Sequence, residues 1–129
     1  MTDPIADMII RIKNAVLSRH KAVVMPHSKM RNAIADILVE GQYIEAVEVL
    51  EKKPQSDLSI TLKYIGKTPA ITDVKRVSKP GRRLYAKADK LPATLNGYGL
   101  TIVSTSKGLM TGKQARQQKL GGEVVCQIW

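Results

Sequence analysis

The sequence is poor in the residue types that build disulfides, metal sites and aromatic nucleic-acid platforms. Its 129 residues include one cysteine, two histidines and no phenylalanine, and aromatic residues make up only 4%. Cys126 cannot form an internal disulfide, and with two histidines at no ligand spacing it does not make a zinc site. We expect no metal and no cofactor. The scarcity of aromatics argues against a sheet that stacks successive unpaired bases.

Long hydrophobic runs are also absent. The unbroken apolar runs are far shorter than the roughly 20 residues of a membrane-spanning helix, and no basic-then-apolar leader opens the chain. We therefore expect no membrane partner and a cytoplasmic location. Because 43% of the residues are hydrophobic, the chain can still bury a core, as one domain or as two small ones.

Positive charge is in excess, and it is concentrated in one half of the chain. Lys and Arg number 21 against 11 Asp and Glu, a formal net charge of +10. Residues 1–64 carry 9 basic and 8 acidic side chains, whereas residues 65–129 carry 12 and 3. This imbalance indicates a defined face for a polyanion. A merely solvated basic surface is the alternative.

Periodicity in the first half predicts an αβαββ unit that opens with a helix. Asp3 followed by Pro4 is a helix N-cap and first-turn pair. The helix should end near Arg19, whose basic neighbours suit the negative end of the helix dipole. Its apolar face, at helical spacing, comprises Ile5, Met8, Ile9, Ile12 and Val16.

The rest of this unit is a strand, a second helix and two further strands. Residues 22–25 form the first strand, and Ser28 and Gly41 are placed to begin and end the helix. Strands over residues 43–50 and 58–64 follow, the second with clear alternation. The apolar face predicted for the second helix comprises Met30, Ala33, Ile34, Ile37 and Leu38.

The segment Ile65-Gly66-Lys67-Thr68-Pro69 interrupts this pattern where the charge balance changes. We therefore predict an N-terminal domain over residues 1–65 and a β-rich domain over residues 66–129. The fold class is α+β, with two small domains, the second mostly β with a short helix.

A basic hairpin is predicted next. Strands over residues 71–78 and 83–87 flank Lys79-Pro80-Gly81-Arg82, where proline and glycine fit a type II turn. Tyr85 of this hairpin would stack on a base or cover a ribose, or else belong to the core. The hairpin gathers the basic residues Lys75, Arg76, Lys79, Arg82, Arg83 and Lys87.

A buried strand over residues 100–104 leads to the most unusual local sequence, Ser104-Thr105-Ser106-Lys107-Gly108. Hydroxyls both donate and accept hydrogen bonds, so they suit ribose 2′-OH groups, phosphates and base edges of RNA. A hydroxyl-rich turn bonded to its own backbone is the alternative, and the chemistry alone does not choose. Thr111 and Gln114 then form a capping box for a short helix, Gly121-Gly122 is placed to end it, and a final strand spans 123–129.

No enzyme is visible in this sequence. Gly108-Leu109-Met110-Thr111-Gly112-Lys113 imitates a nucleotide-binding P-loop, but it has three residues between its glycines instead of four, and Gln114 stands where Ser or Thr should hold magnesium. Gly97-Tyr98-Gly99 lacks the third glycine of a dinucleotide fingerprint. Both histidines lie in the other half from Cys126, which is best explained as a small buried side chain. An NTPase and a DNA-binding architectural protein remain as rival functions.

Several motifs in order along the chain resemble the bacterial small-subunit ribosomal protein S8 family. They are the opening Thr2-Asp3-Pro4-Ile5-Ala6-Asp7-Met8, the stretch Ser78-Lys79-Pro80-Gly81-Arg82-Arg83-Leu84-Tyr85, the stretch 104–108 and Gly121-Gly122-Glu123 followed by Cys126. One departure is visible. The family usually has glycine directly before the aromatic residue that follows the second helix, whereas here Gln42 separates Gly41 from Tyr43.

The resemblance implies a non-enzymatic primary rRNA-binding protein in the small ribosomal subunit of the cytoplasm, docked on an irregular stem of the 16S central domain beside neighbouring ribosomal proteins. It leaves open the repression of its own operon through a similar mRNA stem. It also implies a binding site that comprises Ser104, Thr105, Ser106, Lys107, Gly108, Tyr85 and Glu123, to which we add Arg82, Arg83 and Lys87 of the basic hairpin. For Glu123 we hypothesise that it accepts from a base amino group or orients the hydroxyl-rich segment.

Overall fold

The computed structural model describes residues 3–91 and 99–129, so Gly97 and Tyr98 of the rejected dinucleotide fingerprint lie outside the described residues. Helices and mostly antiparallel sheets confirm the α+β class. The chain divides into two compact units, one of residues 7–72 and one that joins residues 3–6 to the described residues from 73 onward. None of the described helices is both long and apolar enough to cross a bilayer.

Residues 4–62, all but the first three of which belong to the first unit, follow the predicted αβαββ order. Helix α1 spans Pro4–Leu17, β1 Ala22–Pro26, α2 Lys29–Glu40, β2 Ile44–Leu50 and β3 Asp57–Leu62, and the sheet order is β1-β3-β2. A small hairpin of β4, Tyr64–Ile65, and β5, Thr68–Pro69, occupies the predicted break.

The predicted apolar faces of the two helices are largely confirmed. All five predicted residues of α1 are buried. In α2, Ser28 accepts the Arg31 amide as the N-cap, and Ile34, Ile37 and Leu38 are buried. The prediction that Met30 lies on this buried face is wrong. It lies in the first turn of α2 and is 44% exposed, so the buried face begins one turn later.

The second unit is built around its last strand. Strand β6 spans Val74–Arg76, β7 Tyr85–Ala86, β8 Leu100–Thr105, β9 Gly108–Thr111 and β10 Gly122–Ile128, with a 3-10 helix at Ala88–Lys90 and α3 at Gly112–Gln117. The sheet order is β6-β10-β8-β9, and β7 also pairs with β10. Thr111 and Gln114 form the predicted capping box of α3. The core of this unit includes Leu91, Val103, Met110, Ala115 and Val124.

The predicted basic hairpin is wrong in its pairing. Strands β6 and β7 do not pair with each other, because both lie along the same edge of β10. Between them the chain leaves this edge as a short loop, residues 79–83, closed by one bridge between Lys79 and Arg82. Gly81 does not adopt the positive φ that a type II turn requires, so the turn type was also wrong.

Each α-helix ends with a left-handed residue that is not glycine. The positive φ values fall on Arg19, Gln42 and Lys119, and a 6→1 hydrogen bond of the Schellman type follows each helix. Gly41 is the C-cap of α2 as predicted, but its own backbone is right-handed. The prediction that Gly121-Gly122 ends α3 is wrong, because Lys119 takes that role and Gly122 begins β10.

The N-cap of α1 is tied to β6. The Asp3 carboxylate accepts the Ala6 amide and, at 3.1 Å, the Nε–H of Arg76. Arg76 also donates to the Val125 carbonyl at 2.6 Å. Burial raises the pKa of Asp3, but the hydrogen bonds from Arg76 and Ala6 and the charge of Arg76 outweigh it, so the pKa lies below its ordinary value.

Replacing Gln42 by glycine should stabilise the protein. Glycine adopts a φ near 62° without a Cβ penalty, whereas other L residues are strained there. We expect the free energy of unfolding in urea to rise by about 1 kcal/mol. Gln42→Ala, which keeps a Cβ, is the control and should give no such gain. Equal stability of the two variants would contradict this explanation.

Asp3→Asn should remove a stabilisation that depends on pH. Asparagine can still cap the helix, so the variant isolates the charge on Asp3. Because the folded-state pKa is lowered, the stabilisation of about 2 kcal/mol should be complete above the unfolded pKa of 3.8 and disappear as the pH falls through the folded pKa. Urea unfolding between pH 2.5 and 7 measures it. Asp36→Asn, at an exposed carboxylate with no ion pair among the described residues, is the control and should change stability little.

Candidate RNA interface

The sheet register brings three predicted site residues into one row at one end of the second unit. Glu123 of β10 lies opposite Ser104 of β8 on one side and opposite Tyr85 of β7 on the other. Directly opposed residues of antiparallel strands project from the same face of a sheet. Ser104, Glu123 and Tyr85 therefore form one continuous row, which we call the binding row.

Two glycines allow the strands to approach closely here. A Cβ on Gly122 would overlap the carbonyl oxygen of Ser104, and a Cβ on Gly121 would lie 2.6 Å from the carbonyl oxygen of Ala86. Any side chain at these positions would therefore push β10 away from β8 and β7. Sequence reasoning missed this role and interpreted the pair as a helix end. A glycine at the start of a strand was the available signal.

The hydroxyl-rich segment forms the tight end of the β8–β9 hairpin. Thr105 lies opposite Gly108, so Ser106 and Lys107 form a two-residue loop. The Thr105 hydroxyl accepts the Lys107 amide at 3.1 Å and donates to the Gly108 carbonyl at 2.9 Å. The alternative of a self-bonded turn is thus correct for Thr105. Its hydroxyl holds the loop in shape.

The tip of this hairpin is open to a partner. Ser106 and Lys107 are exposed, and within the described residues no hydrogen bond engages the hydroxyls of Ser104 or Ser106. Gly108 has a φ of 106°, a conformation that L side chains rarely adopt. Strand β9 itself was not predicted, since residues 108–111 were interpreted only as an approach to the helix.

The basic loop at 79–83 is closed by a buried serine that the sequence did not single out. The Ser78 hydroxyl donates to the Leu84 carbonyl and accepts the Leu84 amide at 2.9 Å, and the residue is fully buried. This bridge brings the two sides of the loop together and directs Lys79, Arg82 and Arg83 to the surface, where all three are exposed.

Glu123 is paired within the chain. Its carboxylate lies 3.1 Å from the Arg83 guanidinium, and its side chain is 14% exposed against 51% for Arg83. No hydrogen bond among the described residues joins the Glu123 carboxylate to the hydroxyl-rich loop. The ion pair reduces the repulsion that a lone carboxylate would exert on a phosphate, and it fixes the direction of the guanidinium.

Tyr85 is a surface residue. It is 72% exposed, so the alternative of a core tyrosine is wrong. Lys87 directly follows β7 and is exposed, and its backbone lies against Gly121. An exposed aromatic ring between basic side chains suits a base or a ribose together with the phosphates beside it.

All ten predicted site residues are described. The binding row and the hydroxyl-rich loop are brought together directly by strand pairing, and Arg83 joins them through Glu123. Arg82 is placed by the loop at 79–83 and Lys87 by the end of β7. The surface thus combines hydroxyls, an aromatic ring and positive charge.

Two features that the sequence analysis weighed as enzymatic, the P-loop imitation and Cys126, have structural roles. Residues 108–111 pair with β8, so this part of the P-loop imitation is strand and not a phosphate cradle. Cys126 is fully buried in β10, and burial raises the pKa of its thiol to about 12, which makes the thiolate scarce at neutral pH.

Comparison with known proteins agrees with this picture. The profile of the family described as Ribosomal protein S8 matches residues 3–129. The small ribosomal subunit protein uS8 of Dictyoglomus thermophilum is 53% identical over 129 residues, covering 100% of this chain and 98% of that protein. The uS8 proteins of Caldanaerobacter subterraneus and Clostridium novyi are 54% and 48% identical with the same coverage. The chain therefore belongs to the ribosomal protein S8 family.

Proposed function

We propose that the protein binds an irregular stem in the central domain of 16S rRNA and helps this domain to assemble. Its family is structural rather than enzymatic, and membership makes the chain a component of the small ribosomal subunit, located in the ribosome within the cytoplasm. The observation that carries the finer proposal is the binding row, because strand register sets Tyr85, Glu123 and Ser104 side by side next to an exposed hydroxyl loop.

In this proposal, some residues of the surface provide specificity and others provide affinity. The Ser106 hydroxyl and the Tyr85 ring are exposed and would fit a ribose 2′-OH and a base plane at an irregular position of the stem. Lys107, Arg82, Arg83 and Lys87 would neutralise phosphates. This division favours structured RNA over DNA, because a hydroxyl that reads the 2′-OH discriminates between them.

Glu123 acts, in this proposal, by holding Arg83. The 3.1 Å ion pair keeps the guanidinium in one direction before RNA arrives, which lowers the entropy cost of binding. We further propose that residues 66–129 carry the RNA site and that the chain is not an enzyme. An operon mRNA with a stem of the same shape would fit the same surface, and this is the proposed basis for autoregulation.

Ser106→Ala should weaken binding to the irregular stem and spare other nucleic acids. One hydrogen bond contributes about 1 kcal/mol, so we expect about a 5-fold loss for the irregular stem and no change for a plain RNA duplex or a matched DNA. Filter binding with the full chain measures these affinities. Ser18→Ala, at an exposed position of the first unit, is the control. Equal losses on all three nucleic acids would contradict specific recognition by this loop.

Arg82→Ala and Glu123→Gln should affect different properties. With about 4 to 8 phosphate contacts, log Kobs should fall with log salt with a slope of about −4 to −7, and Arg82→Ala should reduce this slope by about 1. Glu123→Gln should weaken binding about 5-fold. This effect should disappear in an Arg83→Ala background, because Glu123 acts through Arg83. Additive losses would show that Glu123 contacts RNA itself.

A further inference from the structure

The chain leaves the edge of β10 after β6 and returns to it at β7 across a very short gap. Strand β6 ends opposite Cys126, and β7 begins opposite Glu123. Eight residues, 77–84, therefore have to fit where β10 offers only Val124 and Val125. The opposite edge of β10 is irregular at the same place, because Val125 has no partner on β8. A regular ladder cannot continue from β6 into β7, so other hydrogen bonds have to join them.

Ser78 and Leu84 meet at Val124, one from each side of this gap. The Ser78 amide donates to the carbonyls of Val124 at 3.2 Å and Val125 at 3.3 Å. The Val124 amide donates to the Leu84 carbonyl at 2.8 Å. The Ser78 hydroxyl joins the two sides, since it accepts the Leu84 amide at 2.9 Å and donates to the Leu84 carbonyl at 3.3 Å. A hydroxyl can make both bonds because it is a donor and an acceptor at once.

Strand β7 has little else to fix its register on β10. It is two residues long and pairs only with Gly122 and Glu123. Of its two side chains, Ala86 contributes only a methyl group to the core, and Tyr85 is 72% exposed. Register is strongly specified where large side chains are buried on one face and weakly specified elsewhere. A slip by one residue would turn Tyr85 to the other face of the sheet and out of the binding row.

We propose that Ser78 is a positioning residue of the RNA site, to which it contributes from the interior of the protein. Its side chain is fully buried, so it acts on RNA only through other residues. By holding the Leu84 backbone, its hydroxyl fixes the register of the next residue, Tyr85, on β10. It also fixes the preceding residue, Arg83, within reach of Glu123. This inference rests on the proposed RNA site, and its experiment separates the two.

Amide hydrogen exchange tests the positioning in the full chain without RNA. In Ser78→Ala the Leu84 amide loses its acceptor, so we expect it to exchange about 10-fold faster while the amides of β8 keep their rates. NMR measures these rates residue by residue. Thr101→Val is the matched control, because it removes another buried side-chain hydroxyl of the same unit, opposite Gln127 and away from the binding row. It should leave the Leu84 rate unchanged. An unchanged Leu84 rate in Ser78→Ala would overturn the proposal.

RNA binding tests the consequence for Tyr85. Filter binding of the full chain to the irregular stem should show about a 10-fold loss for Tyr85→Ala, because a stacked ring contributes strongly to affinity. In a Ser78→Ala background the same replacement should cost less than about 2-fold, since the ring is no longer held in the row. In a Thr101→Val background it should again cost about 10-fold. A residue that only stabilised the fold would leave the contribution of Tyr85 equal in all three backgrounds.

Each other result contradicts a different statement. Equal losses from Tyr85→Ala in the natural and Ser78→Ala backgrounds would overturn the role of Ser78 and leave the RNA site standing. No loss from Tyr85→Ala in the natural chain would overturn the proposed RNA site, and the role of Ser78 with it. Circular dichroism checks that the variants are folded. If Ser78→Ala is unfolded, Ser78→Cys replaces it, because a thiol occupies the site but is only a weak donor and acceptor.

Discussion

The close approach of β10 to its neighbours at Gly121 and Gly122 is the constraint on which the proposed RNA surface depends. A side chain at Gly122 would overlap the Ser104 carbonyl, and one at Gly121 would crowd the backbone of Ala86. With these side chains missing, β10 pairs with β8 and β7 at the same end and sets Ser104, Glu123 and Tyr85 in one row. The site is therefore created by backbone contact before any side chain contributes.

Intramolecular bonds then fix the groups that would face RNA in the proposed site. Thr105 uses its hydroxyl to shape the loop that presents Ser106, Ser78 closes the loop that presents Arg82, and Glu123 holds Arg83. A surface held in this way loses little conformational entropy when it binds, which favours affinity without a large interface. The charges are also distributed unevenly along the chain. Positive charge surrounds the binding row, while residues 32–51 carry only negative charge.

Local patterns explain which parts of the fold were predictable. The buried face of α1, the Ser28 cap and the Thr111 capping box each depend on residues within one or two helical turns, so their spacing was sufficient. The pairing of β6 and β7 was not predictable in this way. A proline-glycine turn suggests a local hairpin, whereas both strands pair with the edge of β10, whose residues are distant in the sequence. The prediction that Met30 is buried was wrong for a similar reason, because burial depends on what packs against the helix.

By itself the sequence determined the α+β class, the concentration of positive charge after residue 64 and the chemical types of the site residues. These follow from periodicity, charge and composition, which belong to the chain alone. The tertiary structure decided that Gly122 serves strand contact instead of helix termination, that Tyr85 is exposed and that Glu123 meets Arg83. Each of these depends on which distant strands become neighbours, and that is set by the packing of the whole sheet.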